Sequence, residues 1–153
     1  MDPPAAIPSA LAEATDTTPF FSLEGQTLEA KIVDAYDADT VRAVLMLSGD
    51  LPTKFAVRLT GLDTPEKRSR RDLERRAARA AHRALLRMLL GDDDYRALAS
   101  IAKLTRKKVR AALGASRNTV VLRCGEFDKY GRLLARIEIR RADSQQDVCA
   151  ALV

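Results

Sequence analysis

Three segments with strand-like alternation follow one another in the first half of the chain and are joined by short turns. They cover Leu28–Tyr36, Thr40–Leu47 and Phe55–Leu62. The turn Asp37-Ala38-Asp39 separates the first two segments, and Ser48–Thr53, which contains Gly and Pro, separates the last two. Consecutive strands joined by short turns form a meander. A meander of this kind predicts a small β-barrel.

The period of the apolar residues becomes helical after the third strand. One helix is predicted from about Ser69 to Leu90 and ends at Gly91. A second helix is predicted as one continuous element from about Asp93 to Leu113. The apolar stripe of the first helix is Leu73, Ala77, Ala80, Ala81, Ala84, Met88 and Leu89. The stripe of the second is Tyr95, Leu98, Ile101, Ala102, Thr105, Val109 and Leu113.

Two more strands are predicted beyond these helices, at Asn118–Cys124 and Leu133–Ile139, and a short helix is predicted from Gln145 to Val153. Five strands with helices inserted after the third are the layout of the OB-fold, a partly open barrel that commonly binds oligonucleotides. The fold class is therefore α+β and mainly β. With 153 residues the chain corresponds to one domain, residues 20–153, preceded by a flexible Pro-, Ala- and Thr-rich arm over residues 1–19.

Positive charge is concentrated between Lys67 and Arg110. That segment has fifteen Lys or Arg residues against five acidic ones, an excess larger than the net charge of +5 of the whole chain. One interpretation is a solvated helix face, because arginine favours helices and its stem covers apolar surface. The other is an electrostatic footprint for the phosphodiester backbone of DNA or RNA, bound without sequence specificity.

The remaining composition excludes several other classes. There is no run of about 18 apolar residues, so we expect no membrane segment. There is no basic, apolar leader, so we expect an intracellular protein. We also expect a monomer. Cys124 and Cys149 have neither metal-site spacing nor a disulfide-framework count, and we interpret both as reduced thiols. His82 is the single histidine, which argues against a histidine metal site.

Charged residues of the kind found in active sites occur in three turns. The first is Asp37-Ala38-Asp39-Thr40, and the second runs from Arg58 to Glu66 and includes Asp63-Thr64-Pro65-Glu66. The third is Asp128-Lys129-Tyr130-Gly131-Arg132. Each turn has a structural alternative. Asp37 and Asp39 are also ordinary turn acids, Asp-Thr-Pro-Glu is also a helix-start turn, and the third motif is also a simple hairpin. The three together favour a site that combines carboxylates, which bind metal ions, with guanidiniums, which bind phosphate.

The order, strand context and residue types of these turns resemble the staphylococcal nuclease-like (thermonuclease) family. The resemblance extends from about Leu28 to Leu152 and implies a five-stranded OB barrel. It also implies a Ca²⁺-dependent enzyme that hydrolyses DNA or RNA and leaves 3′-phosphate ends.

The resemblance further implies a role for each matching residue. Asp39, Asp63 and the Thr64 carbonyl would ligate Ca²⁺, and Asp37 would support that site from its rim, next to the substrate. Arg58 and Arg132 would clamp the phosphate, Glu66 would act as general base, and Lys129 and Tyr130 would lie along the nucleotide. The residues of these roles are Asp37, Asp39, Arg58, Asp63, Thr64, Glu66, Lys129, Tyr130 and Arg132.

This chain departs from the family pattern in three places. Ala38 replaces a glycine, which would be strained if the position required positive φ. Residues 92–115 are a helical insertion, and the chain ends at Val153, before a further helix that packs on the barrel in the best-known members. We hypothesise that the inserted helix covers the surface left by that missing helix. The alternative function is an inactive nuclease-like module that binds nucleic acid or a protein partner.

Overall fold

The fold was obtained as a computed structural model, which describes residues 6–61, 71–100, 103–141 and 144–148. The strands are β1 (Thr27–Ala35), β2 (Thr40–Leu47), β3 (Leu51–Leu59), β4 (Val120–Phe127), β5 (Leu133–Arg141) and β6 (Ser144–Asp147). The helices are α1 (Ser9–Ala12), α2 (Asp72–Leu90), α3 (Asp92–Ala99) and α4 (Arg106–Ala115). None of these described helices is long and apolar enough to cross a bilayer.

Five strands close into a barrel, which confirms the predicted fold class. The strand order is β3-β2-β1-β4-β5, and the barrel closes because β3 also pairs with β5 in parallel. All other pairings in the barrel are antiparallel. Alternate residues of the barrel strands fill the interior with aliphatic side chains such as Val57, Leu122 and Ile137. The architecture is that of an OB-like barrel with helices on its outside.

The meander agrees with the sequence prediction except in its third strand. Strand β2 has the predicted limits, whereas β3 begins at Leu51 and ends at Leu59. Pro52 is the second residue of β3 and lies opposite Met46. A missing N–H is tolerated there because this part of β3 pairs with β2 alone, and the pairing with β5 begins at Val57. The turn between β2 and β3 is therefore only Ser48–Asp50.

The helical region differs from the prediction in two respects. First, the predicted second helix is interrupted, and α4 starts after Thr105, whose side chain accepts the N–H of Lys108 as an N-cap. Second, the buried face of α2 is rotated from the predicted stripe, and Leu73 is 79% exposed. Large side chains bury more apolar area than alanines do, and they decide the orientation of α2. Its buried residues are Ala78, His82, Leu85, Leu86, Leu89 and Leu90.

Helix α4 packs on strand β1 and belongs to the core. Val109 and Leu113 are buried among the barrel side chains. Asp34 of β1, also buried, accepts hydrogen bonds at Oδ2 from Arg106 Nη2 at 2.8 Å and Arg110 Nε at 3.0 Å. Helix α4 therefore covers part of the barrel surface at β1.

The ends of the chain add a strand and one helical turn. Ser144–Asp147, where the short C-terminal helix was predicted to begin, instead forms β6 and pairs antiparallel with β5. Val148 follows and is buried. Residues 149–153, including Cys149, lie outside the described part, and Cys124 is a buried free thiol. In the predicted N-terminal arm, α1 has no buried residue, and Leu23 is the first residue of the core.

Candidate functional site

The turn between β1 and β2 is fixed by its first aspartate. Asp37 Oδ1 accepts the backbone N–H of Asp39 at 3.2 Å and that of Thr40 at 2.8 Å. This is an Asx-turn, in which a carboxylate replaces a backbone carbonyl. Thr40 Oγ1 donates to Asp39 Oδ1 at 3.1 Å and orients the second carboxylate. Ala38 is buried and does not have positive φ, so the strain considered for this position does not arise.

The end of β3 lies against this turn. Arg58 is directly opposite Thr40 in the β2–β3 ladder, and the N–H of Leu59 donates to the Asp39 carbonyl at 2.8 Å. The Arg58 guanidinium points toward the turn, with Nη2 at 3.7 Å from Asp39 Oδ2. A predicted metal ligand and a predicted phosphate clamp are therefore neighbours in space.

The hairpin between β4 and β5 presents the third motif. Asp128 opens it, and its backbone N–H donates to the Arg132 carbonyl at 2.8 Å. Gly131 supplies the left-handed residue that closes the turn, with φ of 79°. Asp128 Oδ1 accepts the N–H groups of Tyr130 and Arg132, both at 2.9 Å. One carboxylate oxygen thus holds the backbone of the loop.

The other oxygen of Asp128 holds the catalytic candidate Arg132. Arg132 Nε donates to Asp128 Oδ2 at 2.8 Å. The Tyr130 ring, 72% exposed, has Arg132 Cζ at 5.4 Å and Lys129 Nζ at 5.0 Å from its centroid. The sequence predicts no role for Asp128 beyond its place at the start of the turn. However, Asp128 precedes a Tyr-Gly turn and lies four residues before an arginine. This spacing indicates an aspartate that positions the turn and the arginine.

The parallel pairing of β3 and β5 brings the second and third motifs together. Val57 is opposite Leu133 and Arg58 is opposite Leu134. Because Val57 and Leu133 are buried in the barrel, the alternation directs Arg58 to the outer face and puts Arg132, just before Leu133, on the same face. The Asp37–Thr40 turn is adjacent through its pairing with β3. The barrel therefore brings together Asp37, Asp39, Arg58 and the Lys129–Arg132 hairpin on one side.

The remaining predicted site residues are not described. Asp63, Thr64 and Glu66 lie in residues 62–70, outside the described part of the chain. Within the described ranges, no three Asp, Glu, His or Cys side chains form a group able to hold a metal ion. Of the three predicted Ca²⁺ ligands, Asp39 is therefore described, and Asp37, predicted at the rim of the site, lies beside it.

The pKa values of Asp37 and Asp128 are shifted in opposite directions. Burial, together with a hydrogen bond to Asp39 and its negative charge, raises the pKa of Asp37. At Asp128 burial acts in the same direction, but hydrogen bonds from the backbone N–H and side chain of Arg132 outweigh it and lower the pKa. The Asp37–Asp39 pair is therefore a place where a cation is favourable, whereas Asp128 is already neutralised by Arg132.

We expect Asp37→Asn to stabilise the metal-free protein. The amide oxygen retains the two backbone hydrogen bonds, while removal of the negative charge relieves repulsion of about 1 kcal/mol from Asp39. Melting temperature should rise by about 2–4 °C at pH 7 in EDTA.

This gain depends on pH. The pKa of Asp37 is raised in the folded protein, so the stability contributed by its protonated carboxyl is fully present below the ordinary value of 3.8 and is lost as pH rises through the raised pKa. The gain from Asp37→Asn should therefore shrink at acidic pH, as measured by thermal denaturation at pH 3.5 and 7. A gain independent of pH would contradict this.

The arrangement places guanidiniums, an exposed aromatic ring and paired carboxylates on one outer face of a barrel. Guanidiniums bind phosphate oxygens bidentately, aromatic rings stack on bases, and close carboxylates attract a divalent cation. Comparison of the sequence with protein-family models and with curated proteins gives no match.

Proposed function

We propose that this protein is a Ca²⁺-dependent nuclease that hydrolyses phosphodiester bonds of DNA or RNA to 3′-phosphate ends. The observation that carries the proposal is the convergence of Asp39, Arg58 and the Asp128–Arg132 hairpin on one face of the barrel through the β2–β3 and β3–β5 pairings. The three motifs are far apart in sequence. The resemblance to the staphylococcal nuclease-like family requires them to share a site, and this convergence supports the resemblance.

The two arginines would bind the phosphate. Arg132 is held at Nε by Asp128, which leaves its terminal Nη groups for the substrate. Arg58 is about half exposed, and its separation of 3.7 Å from Asp39 leaves it able to turn toward a bound phosphate. As water attacks phosphorus, negative charge grows on the nonbridging oxygens. Donors already aimed at those oxygens stabilise the transition state more than the ground state.

The residues that would hold Ca²⁺ are Asp39, Asp63 and the Thr64 carbonyl, with Asp37 at the rim. The donor set is chemically suitable, because Ca²⁺ takes carboxylate and carbonyl oxygens in irregular geometry. The raised pKa of Asp37 beside Asp39 also indicates negative charge that a cation would compensate. When bound, the ion would supply positive charge next to the phosphate and an ordered water ligand.

Glu66 would accept a proton from the attacking water. The oxygen of that water bonds to phosphorus while the bond from phosphorus to the 5′ oxygen breaks. The 5′ oxygen takes a proton from solvent and leaves as a hydroxyl, and Glu66 returns its proton to solvent, so the protons balance. The phosphate then remains on the 3′ oxygen of the other fragment. This sequence needs only water as co-reactant and no covalent enzyme intermediate.

The alternative is a nuclease-like OB module that binds nucleic acid or a protein partner without cleaving. A specific observation favours it: Arg58 is paired with Asp39 and Arg132 with Asp128, and such pairs can be purely structural. The two functions differ in metal dependence, since strand binding by guanidiniums requires no Ca²⁺.

The deciding experiment is digestion of end-labelled single-stranded DNA in Ca²⁺ and in EDTA. We expect cleavage in Ca²⁺ alone, 3′-phosphate ends on the products, and a rate about 10²-fold lower for Glu66→Gln. Glu24→Gln, an exposed glutamate before β1, makes the same chemical change outside the site and should retain full activity. A folded protein that binds the strand but does not cleave it in Ca²⁺ would support the binding module.

A further inference from the structure

A basic pocket lies between α2, the start of α4 and the end of β1. Its volume is about 530 Å³, within the range of ligand sites. Four cationic side chains line it, and none of the described lining residues is acidic. The buried His82 closes the inner wall, where its Nε2 donates to the Ala35 carbonyl at 2.8 Å. The cationic residues are Arg79, Arg83, Lys103 and Arg106.

The charges of this pocket are not balanced by acids in the described part of the chain. Arg79, Arg83 and Lys103 have no carboxylate partner within the described residues. Arg106 does have one, but it shares Asp34 with Arg110, so two guanidiniums face one carboxylate. The Asp34 contact also fixes Arg106 in place at the pocket wall. The pocket therefore combines an excess of positive charge with a held donor.

The first turn of α4 has the wrong charges for an isolated helix. Its residues Arg106, Lys107 and Lys108 are all cationic, and the turn has no acidic residue. The N-terminal end of a helix carries partial positive charge, so cations there are unfavourable and anions are favourable. Thr105, the N-cap of α4, lines the pocket. Departures from local sequence preference of this kind occur at functional sites, and an anion bound here would compensate the charge.

Tyr36 connects the pocket to the candidate active site. Its ring lines the pocket, is 40% exposed, and lies under Arg106 with Cζ at 5.2 Å from the ring centroid. The next residue in the chain is Asp37, whose Cα is about 3.8 Å from that of Tyr36. A strand crossing the Asp37–Asp39 turn would therefore reach the pocket within a few nucleotides.

We propose that this pocket binds a phosphate group of the substrate strand at a short distance from the cleaved bond. The proposal rests on the proposed function for the identity of the strand, and it adds a subsite built by the inserted helix α4. Arg79, Arg83 and Lys103 provide the charge, Arg106 the fixed guanidinium, and Tyr36 a surface for stacking or packing of the adjacent base.

The test is binding of a fluorescent 12-nucleotide poly-dT strand in EDTA, measured by anisotropy at several salt concentrations. For Arg79→Gln/Arg83→Gln we expect about tenfold weaker binding and a salt slope smaller by one to two. The control Arg96→Gln/Arg117→Gln removes the same charge from exposed positions outside the pocket and should change affinity less than twofold. Lys103→Gln changes one lining residue outside α2 and should weaken binding about threefold. It tests the pocket independently if the double variant does not fold.

Equal losses in the pocket and control variants would overturn the proposal, because they would indicate diffuse attraction. No loss in either pocket variant would overturn it too. Thymidine 5′-monophosphate serves as a competitor of the labelled strand. If it displaces the labelled strand at a lower concentration than the unlabelled strand does, and only from proteins with an intact pocket, the pocket is assigned to a free nucleotide instead. Binding in EDTA is measured without Ca²⁺-dependent cleavage, so it is independent of the nuclease activity. A protein that binds the strand through this pocket but does not cleave it in Ca²⁺ would refute the proposed nuclease and leave the strand-binding pocket standing.

Discussion

Replacing Arg132 by alanine is expected to lower kcat/KM for single-stranded DNA by about 10³-fold or more. Arg132 is held in place by Asp128 before substrate binds, so its guanidinium does not have to be ordered during the reaction. The loss should appear mainly in kcat, since in the proposed mechanism the arginine would bind the charge that develops in the transition state more strongly than the ground-state phosphate. Single-turnover cleavage in saturating Ca²⁺ measures this directly.

Two further variants separate the chemistry of Arg132 from its charge and from its position. Arg132→Lys keeps the charge without the planar fork and should recover only part of the rate. Asp128→Ala leaves the guanidinium intact but removes its support, and we expect about a tenfold loss in kcat. Arg96→Ala, an exposed arginine on α3, is the matched control and should be fully active. An Arg132→Ala protein with more than a third of the normal rate would contradict the assigned role.

The barrel was predictable because its signals are local. Alternation in β2 and the turns on either side specify a strand whatever the rest of the chain does, and the limits of β2 were predicted without error. Strand β6 was missed because Ser144–Asp147 contains no apolar residue and forms through backbone pairing with β5. The break before α4 was missed for a different reason. Thr105 fits an apolar helical stripe, but its hydroxyl caps a new helix instead.

The candidate site was predictable in its turns and not in its tertiary contacts. Asp37, Asp39 and the Asp128 hairpin lie in turn sequences whose chemistry can be inferred from neighbouring residues. The basic pocket depends on α4 packing beside α2, residues far apart in sequence, and no local pattern identifies which arginines share it. The same holds for Asp34, which in sequence is an ordinary strand residue and in the fold is the buried partner of two arginines.

The largest expected effect on stability comes from helix α4. Leu113→Ala should lower the free energy of unfolding by about 2–5 kcal/mol, because Leu113 on α4 is 2% exposed and packs in the core with β1. A domain of this size typically has 5–15 kcal/mol in total, so the variant should lose a large part of its stability. Urea denaturation in EDTA, with the slope compared between variants, measures the change.

The control for this experiment is another leucine at a helical position. Leu73→Ala on α2 removes the same atoms from a side chain that is 79% exposed, and the expected change is within about 0.5 kcal/mol. Deletion of residues 92–115 extends the test, since it also leaves the buried Asp34 carboxylate without Arg106 and Arg110. The deleted protein should not fold. If it instead melts at the temperature of the full chain, residues 92–115 are an appendage to the barrel and not part of its core.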